Sequence, residues 1–307
     1  MSIQVTFLGT AGSIPTPKRS LPAVLIKREN EQTMFDAGEG VQKQMITTKT
    51  GFNKKMKVFI THMHGDHVLG LPGLMQTMAL LNREKPLQVY GPPGIAKFLE
   101  SIRETVQFVL TFPVEIREIR KPGIVCDENE YYVHAIRSNH SIEGLVYAFV
   151  EKPRPGRFHP EKAKALQIPE GILWSKLQRG DKIKLPNGRT VKPTDVMGGL
   201  RKGRKIVYTG DTRPFAALVK LSTNADLLIH DSTLGDELAD RAEEDGHSTP
   251  SQAAKTAKKA KVKKLVLTHI SARYADPSML LNQAKKTFKN TVIAEDFMKI
   301  EIPFSEE

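Results

Sequence analysis

The alternation of apolar and polar residues in IQVTFLG (3–9), PAVLIKR (22–28) and QTMFD (32–36) has the two-residue period of half-buried strands. A turn near Asn30 joins the second and third into a hairpin, so the sheet starts antiparallel. Then the pattern changes. Val58-Phe59-Ile60-Thr61 is a short, mostly apolar strand, and LPGLMQTMALL (71–81) enters a helix at Pro72 with Leu74, Met75, Met78 and Leu81 on its apolar side. Strand and helix alternate from there: LQVYG runs into GIAKFLESIRETVQ, and KIVYTGD, DLLIHDS and KKLVLTH each end at a polar residue. The pattern predicts an α/β chain whose functional groups gather at strand ends, where a rigid sheet meets loops that are free to vary.

One segment breaks the rhythm. Across 151–200 proline, glycine and basic residues recur, with a hairpin predicted at Pro186-Asn187-Gly188. It reads as a flexible arm inserted into a single domain spanning 1–307. Arg154, Arg157, Lys176 and Arg179 are among its cations, interleaved with Phe158 and Trp174, which could also be the arm's own small core.

Composition narrows the chemistry. Over 307 residues, 39% hydrophobic content is enough to bury a core without covalent staples. The single cysteine, Cys126, excludes an intramolecular disulfide framework and any thiolate cluster, so metal ligation falls to His, Asp and Glu. No basic leader precedes a long apolar run, and no run reaches the length of a membrane span; the chain reads as soluble and cytoplasmic, with no membrane partner. A net charge of +12 favours a polyanionic partner, although a solvated lysine-rich surface gives the same balance.

The strongest local signal is THMHGDH (61–67). His62 and His64, two apart in an extended turn, can face one ion, while Asp66 and His67 can face its neighbour if Gly65 keeps the loop tight. Three unliganded imidazoles in a buried loop would be costly. Further candidates close other strands: His140 in SNHS, Asp211 in YTGDT and His269 in LTHIS.

THMHGDH, SNHS, YTGDT and LTHIS, in this order at strand ends, resemble the metallo-β-lactamase superfamily across nearly the whole chain. The resemblance implies a four-layer αββα sandwich. It also implies two zinc ions per subunit, one held by His62, His64 and His140 and the other by Asp66, His67 and His269, with Asp211 bridging; Mn or Fe would accept the same ligands. Within that superfamily LGTAGSIPTPKRS, MFDAGEGVQKQ, HGDHVLGLPGL, THISARY and GHST resemble the ribonuclease Z family. That family implies an endoribonuclease that cuts the 3′ trailer from precursor tRNA by attack of a metal-activated water, leaving a 3′-hydroxyl. It also implies a homodimer whose basic arm grips the tRNA body.

Carried onto this chain, His247 in GHST is the proton donor to the leaving group. Asp231 in HDST orients or charges it, where the family usually has glutamate, and Asp66 helps to deprotonate the water as well as binding metal. Thr249, Pro250 and Gln252 beside His247 form a helix start. Lys18, Arg19 and Arg273 are candidate RNA contacts along with Arg154, Arg157, Lys176 and Arg179. Asp36 is expected to support a metal-binding histidine. His134, His159 and His230 are left outside the ligand set. The alternative is a small-molecule phosphodiesterase on the same fold, which would have little use for the arm.

Overall fold

The computed structural model describes residues 3–304; residues 1–2 and 305–307 lie outside it. The chain divides into two compact units. The larger is built from residues 3–128, together with Tyr132–Val150 and Lys205–Pro303. The smaller is built from Asn129–Tyr131, Glu151–Arg204 and Phe304.

In the larger unit two seven-stranded sheets lie face to face. The first runs in the order Lys299–Ile302, Ile3–Gly9, Ala23–Arg28, Glu31–Phe35, Lys55–Phe59, Leu87–Gly91, Val114–Glu118. Its antiparallel part contains the predicted hairpin, with Arg28 opposite Glu31 and Val24 opposite Phe35. Its last three strands continue in parallel from Glu31–Phe35. The second sheet runs Thr291–Ile293, Leu265–Thr268, Leu227–Asp231, Lys205–Tyr208, Leu145–Glu151, Tyr131–Arg137, Gly123–Asp127, and its first four strands are parallel.

Between the sheets lies a layer of buried rings. Phe35 sits 5.7 Å from Tyr147 and 5.6 Å from Tyr208, and Phe59 sits 4.5 Å from Tyr90 and 5.3 Å from Tyr147. Each ring contributes about 2 kcal/mol or more through burial, and the stacked and edge-on pairs add a further increment.

Helices close both outer faces. The helix predicted over 71–81 spans Gly70–Leu80 and buries Leu71, Leu74, Met75 and Met78 against Met34, Val58 and Val89. Leu81 is not part of its apolar side: it follows the last turn and is 49% exposed. The helix must begin on glycine, because a Cβ on Gly70 would stand 1.9 Å from the Gly38 carbonyl oxygen. On the other face, helix Pro250–Lys259 lays Ala253, Ala254 and Ala257 over Val207, Leu228 and Leu265, the small side chains allowing close approach. Thr249 opens that helix with a capping box to Gln252, as its sequence predicted.

The result is helix, sheet, sheet, helix. The ends of Lys55–Phe59, Lys205–Tyr208, Leu227–Asp231 and Leu265–Thr268 gather at one edge of the sandwich. The two sheets are tied there by a bridge between His62 and Gly144 and by the Leu145 N–H donating to the Thr61 carbonyl at 2.8 Å.

The smaller unit has its own core of Ala163, Ile168, Leu177, Ile183, Leu185, Val191 and Val196. Phe158 and Trp174 pack against this core with their rings 5.1 Å apart, so they help hold the arm together. A short hairpin pairs Ile183 with Val191 across the predicted turn, where Gly188 takes φ 82°. Glu151 and Arg204, both buried, pair at 2.7 Å where the chain enters and leaves the unit, four residues beyond the predicted boundary at 200.

Candidate metal centre

At that edge the chain runs extended through His64 and then turns into a single helical turn, Gly65–Val68. The extended part lets His62 and His64 face one point, and the turn carries Asp66 and His67 back beside them. His140 comes from the loop after Tyr131–Arg137, Asp211 from the loop after Lys205–Tyr208, and His269 from the residue after Leu265–Thr268, in a left-handed backbone conformation (φ 62°).

Three overlapping groups result. Ligand atoms of His62, His64, His140 and Asp211 all lie within 4.8 Å of one another, as do those of Asp66, His67 and His269, and those of Asp211, His247 and His269. In the first, His62 Nε2 is 3.0 Å from His64 Nδ1, His140 Nε2 is 3.3 Å from the same atom, and His62 Nε2 is 3.6 Å from Asp211 Oδ2. In the second, His67 Nε2 is 3.5 Å from Asp66 Oδ2 and His269 Nε2 is 3.4 Å from it; both nitrogens are 3.3 Å from Asp211 Oδ2. A tetrahedron with metal–ligand bonds of about 2.0–2.1 Å has edges of about 3.3 Å. The two donor sets therefore fit two such polyhedra sharing the Asp211 oxygen. Buried His67 Nε2 and Asp211 Oδ1 have no hydrogen-bond partner, which is the state of atoms shaped for a cation.

The electrostatics agree. Burial, reinforced by the neighbouring imidazoles, pushes His62 down to about 2 and lowers His64 and His140, so these rings are neutral and carry lone pairs. Burial opposes the charge on Asp66 and Asp211, yet the His67 and His269 imidazoles hold both carboxyls well below the usual range. His67 is buried between Asp211 and Asp36, which together raise it well above an ordinary imidazole. Three carboxylates this close call for positive charge.

Around the donors stands a second tier of hydrogen bonds. Asp36, also in a left-handed conformation (φ 58°), accepts from the Thr61 N–H at 2.7 Å, the Thr61 hydroxyl at 2.9 Å, His67 Nδ1 at 2.7 Å and the Tyr208 hydroxyl at 2.8 Å. His140 Nδ1 donates to the Gly246 carbonyl at 2.8 Å, which turns its Nε2 inward. The Ser13 N–H donates to Asp66 Oδ2 at 3.0 Å.

His247 and Asp231 adjoin the clusters. His247 Nδ1 lies 3.0 Å from Asp231 Oδ2 and 3.9 Å from Asp211 Oδ2. Asp231 is wholly buried and accepts from the N–H groups of Thr212, Thr233 and Ser248 as well as from the Thr233 hydroxyl. Its short side chain reaches His247 because the backbone brings it there. Burial disfavours charge on His247, but Asp231 and then Asp211 outweigh it and hold the ring at about 9.

Of the candidate RNA contacts, Lys18 and Arg273 are exposed, while Arg19 is half-buried and donates to the Thr10 hydroxyl at 2.7 Å and the Ala294 carbonyl at 2.6 Å. Lys18 and Arg19 border a cavity of about 780 Å³ that Ser271, Tyr274, Asp276 and Glu295 also line. In the arm Arg157, Lys176 and Arg179 are exposed, whereas the Arg154 guanidinium stacks 3.3 Å from the centroid of the Phe304 ring. His159 pairs with exposed Glu161; buried His230 donates to or accepts from nothing through Nε2, and His134 likewise through Nδ1.

Two family models match parts of the chain: one described as anti-Pycsar protein Apyc1 over residues 3–136, and one described as beta-lactamase superfamily domain over residues 170–270. Over 306 residues the chain is 48% identical to a ribonuclease Z of Methanosarcina acetivorans, covering 99% of this chain and 100% of that one. The chain belongs to the ribonuclease Z family. A ribonuclease Z of Archaeoglobus fulgidus is 46% identical over 100% of both chains. Among solved structures, the short form of human tRNase Z matches with a TM-score of 0.73 at 31% identity, covering 98% of this chain and 100% of that one. A long-form RNase Z from yeast matches with a TM-score of 0.66 at 18% identity over 98% of this chain and 42% of its own length, a likeness of fold.

Against that ribonuclease Z background, the residues that sequence reasoning passed over are hydroxyls and backbone groups. Thr233, Tyr208, Thr61 and the Ser13 N–H all bond to the candidate ligands or their partners. Thr61, Tyr208 and Ser13 lie inside THMHGDH, YTGDT and LGTAGSIPTPKRS, and Thr233 ends HDST, but a hydroxyl or a backbone N–H there carries no chemical signal of its own.

Proposed function

We propose that this chain is a metal-dependent endoribonuclease that removes the 3′ trailer from precursor tRNA and leaves a 3′-hydroxyl on the tRNA. The observation that carries this is the two groups of histidines and carboxylate that meet at Asp211 Oδ2, with the His247 imidazole held 3.9 Å from that same oxygen. Full-length kinship with curated ribonuclease Z proteins supports the substrate. Two zinc ions are the occupants we assign, His62, His64, His140 and Asp211 holding one and Asp66, His67, His269 and Asp211 the other. Bound there, such ions lower the proton affinity of a water and offset charge on the attacked phosphate.

The protein's own part is proton transfer and orientation. Asp66 takes the proton of the attacking water, with the Ser13 N–H donating to its Oδ2 at 3.0 Å. The phosphorus–oxygen bond to the ribose O3′ breaks, and His247 donates its proton to that oxygen. Asp231 keeps His247 charged until then. Arg157, Lys176 and Arg179 on the arm, with Lys18 and Arg273 beside the site, are the contacts we assign to the RNA backbone. Among the described residues no helix is long and apolar enough to cross a membrane, and we assign the protein to the cytoplasm as a homodimer.

The test is cleavage of a precursor tRNA carrying a trailer, with and without chelator, beside His64→Ala. A single cut at the acceptor end, lost with chelator and in the variant, is expected. Hydrolysis of a small phosphodiester with the RNA left intact would refute the substrate assignment while sparing the metal chemistry.

A further inference from the structure

We propose that the Thr233 hydroxyl is a positioning group that sets the tautomer of His269 and thereby controls the metal affinity of the site. The inference rests on the reading of His269 as a ligand. It comes from counting protons around one oxygen.

Thr233 Oγ1 lies 2.6 Å from Asp231 Oδ1 and 2.7 Å from His269 Nδ1, and all three residues are buried. A hydroxyl has a single proton to donate. Asp231 receives the N–H groups of Thr212, Thr233 and Ser248 on its two oxygens and faces His247 Nδ1 at 3.0 Å, the surroundings of a carboxylate, so it accepts. The hydroxyl proton must therefore point at Asp231 Oδ1. The lone pairs of Oγ1 are left facing His269 Nδ1, which must then carry a hydrogen. A neutral imidazole with hydrogen on Nδ1 has its lone pair on Nε2, and that is the atom 3.3 Å from Asp211 Oδ2 and 3.4 Å from Asp66 Oδ2.

The same oxygen also fixes the other side. By occupying Oδ1 of Asp231, together with the Thr233 N–H at 2.9 Å, it leaves Oδ2 for His247 Nδ1 at 3.0 Å. One hydroxyl thus sits between His269, 2.7 Å from its Nδ1, and His247, 3.2 Å from its Nδ1. Gly12 keeps this geometry tight from the other side, since a Cβ there would meet His269 Nδ1 at 2.8 Å.

The experiment compares wild type, Thr233→Val and Thr233→Ser. Valine keeps the shape and removes the hydroxyl; serine keeps the hydroxyl and removes a methyl. Zinc affinity is measured by competition with a chromophoric chelator. Zinc binding about 10- to 100-fold weaker in Thr233→Val, with Thr233→Ser within about threefold of wild type, supports the proposal, this being the usual effect of losing such a partner. Wild-type affinity in Thr233→Val overturns it. So does equal weakening in both variants, which would make Thr233 a packing residue.

A measurement on the wild type alone covers the case of a valine variant that does not fold: imidazole 15N–1H correlation spectra of the metal-free protein should show His269 with its hydrogen on Nδ1. The opposite tautomer refutes the proposal. A wild type that binds no zinc would overturn the ligand reading beneath it, a result separable from all of the others.

Discussion

Asp231→Asn tests the acid assignment most directly, because it removes a charge and little volume. Wild-type His247 is raised from 6.5 to about 9 although burial works against its charge. A tenfold change in proton affinity is worth about 1.4 kcal/mol, so the net stabilisation of the charged ring is about 3 kcal/mol, and Asp231 supplies its largest favourable part. Without that carboxylate, burial is less opposed, and the proton affinity should fall to that of an ordinary histidine or below. The sign follows. The charged donor exists below its pKa, so activity is lost as pH rises through that value, and lowering the value moves the loss to lower pH. At pH 8 the protonated fraction drops from about nine-tenths to about one-thirtieth, predicting a loss of about 30-fold in kcat/KM, against a much smaller loss near pH 6.

The amide also has to fit. Three donors converge on Oδ2, from Thr212, Ser248 and His247, so the asparagine oxygen must take that place and its NH2 must face the Thr233 N–H. One unsatisfied pair costs about 1–3 kcal/mol of stability. The shape of a pH profile does not depend on how much enzyme is folded, and for that reason kcat/KM against pH from 5.5 to 9.5 on a small phosphodiester is the assay. An alkaline limb that stays where the wild type has it would refute the assignment of His247 as a donor charged by Asp231.

Other perturbations separate the remaining parts. Asp36→Ala strands four donors, from Thr61 twice, His67 and Tyr208, so unfolding by denaturant should show a loss of about 3–5 kcal/mol, and zinc should bind more weakly. Removing metal with chelator should abolish RNA cleavage reversibly and lower Tm; a ligand at a hundredfold excess over its Kd stabilises by about 2.7 kcal/mol, and an unchanged Tm would argue against binding in the folded core. Replacing Arg157, Lys176 and Arg179 together by glutamine should raise KM for precursor tRNA, reduce the salt slope of its binding by about two to three, and leave hydrolysis of a small phosphodiester as it was. A joint loss of both activities would mean that the arm acts on the site and not on the RNA.

The parts of the site that were legible in the sequence are those whose chemistry restricts residue type and whose spacing is local. Imidazoles at 62, 64 and 67 around Gly65 are spaced to converge, His140, Asp211 and His269 each follow a strand that reads as a strand, and the structure brings these side chains together. Thr233 and Tyr208 were not legible, because a hydroxyl at a strand end suits many roles. Their use depends on which strands are neighbours. Tyr208 lies opposite Ile229, and Asp231 lies opposite Thr268, so parallel pairing carries His269 and Thr233 to the same height at the sandwich edge.

The same register explains Asp231. Judged by side-chain length alone, aspartate in place of glutamate is a defect; judged by position, it stands where Thr212, Ser248 and its own Thr233 can bond it while His247 comes to meet it, on the turn that ends with Gly246 in the left-handed conformation (φ 85°). Gly246 also receives His140 Nδ1 on its carbonyl, and a Cβ there would lie 2.6 Å from that nitrogen. The turn that delivers the proposed acid is thus the turn that aims a proposed ligand, and any substitution at Gly246 should disturb both together.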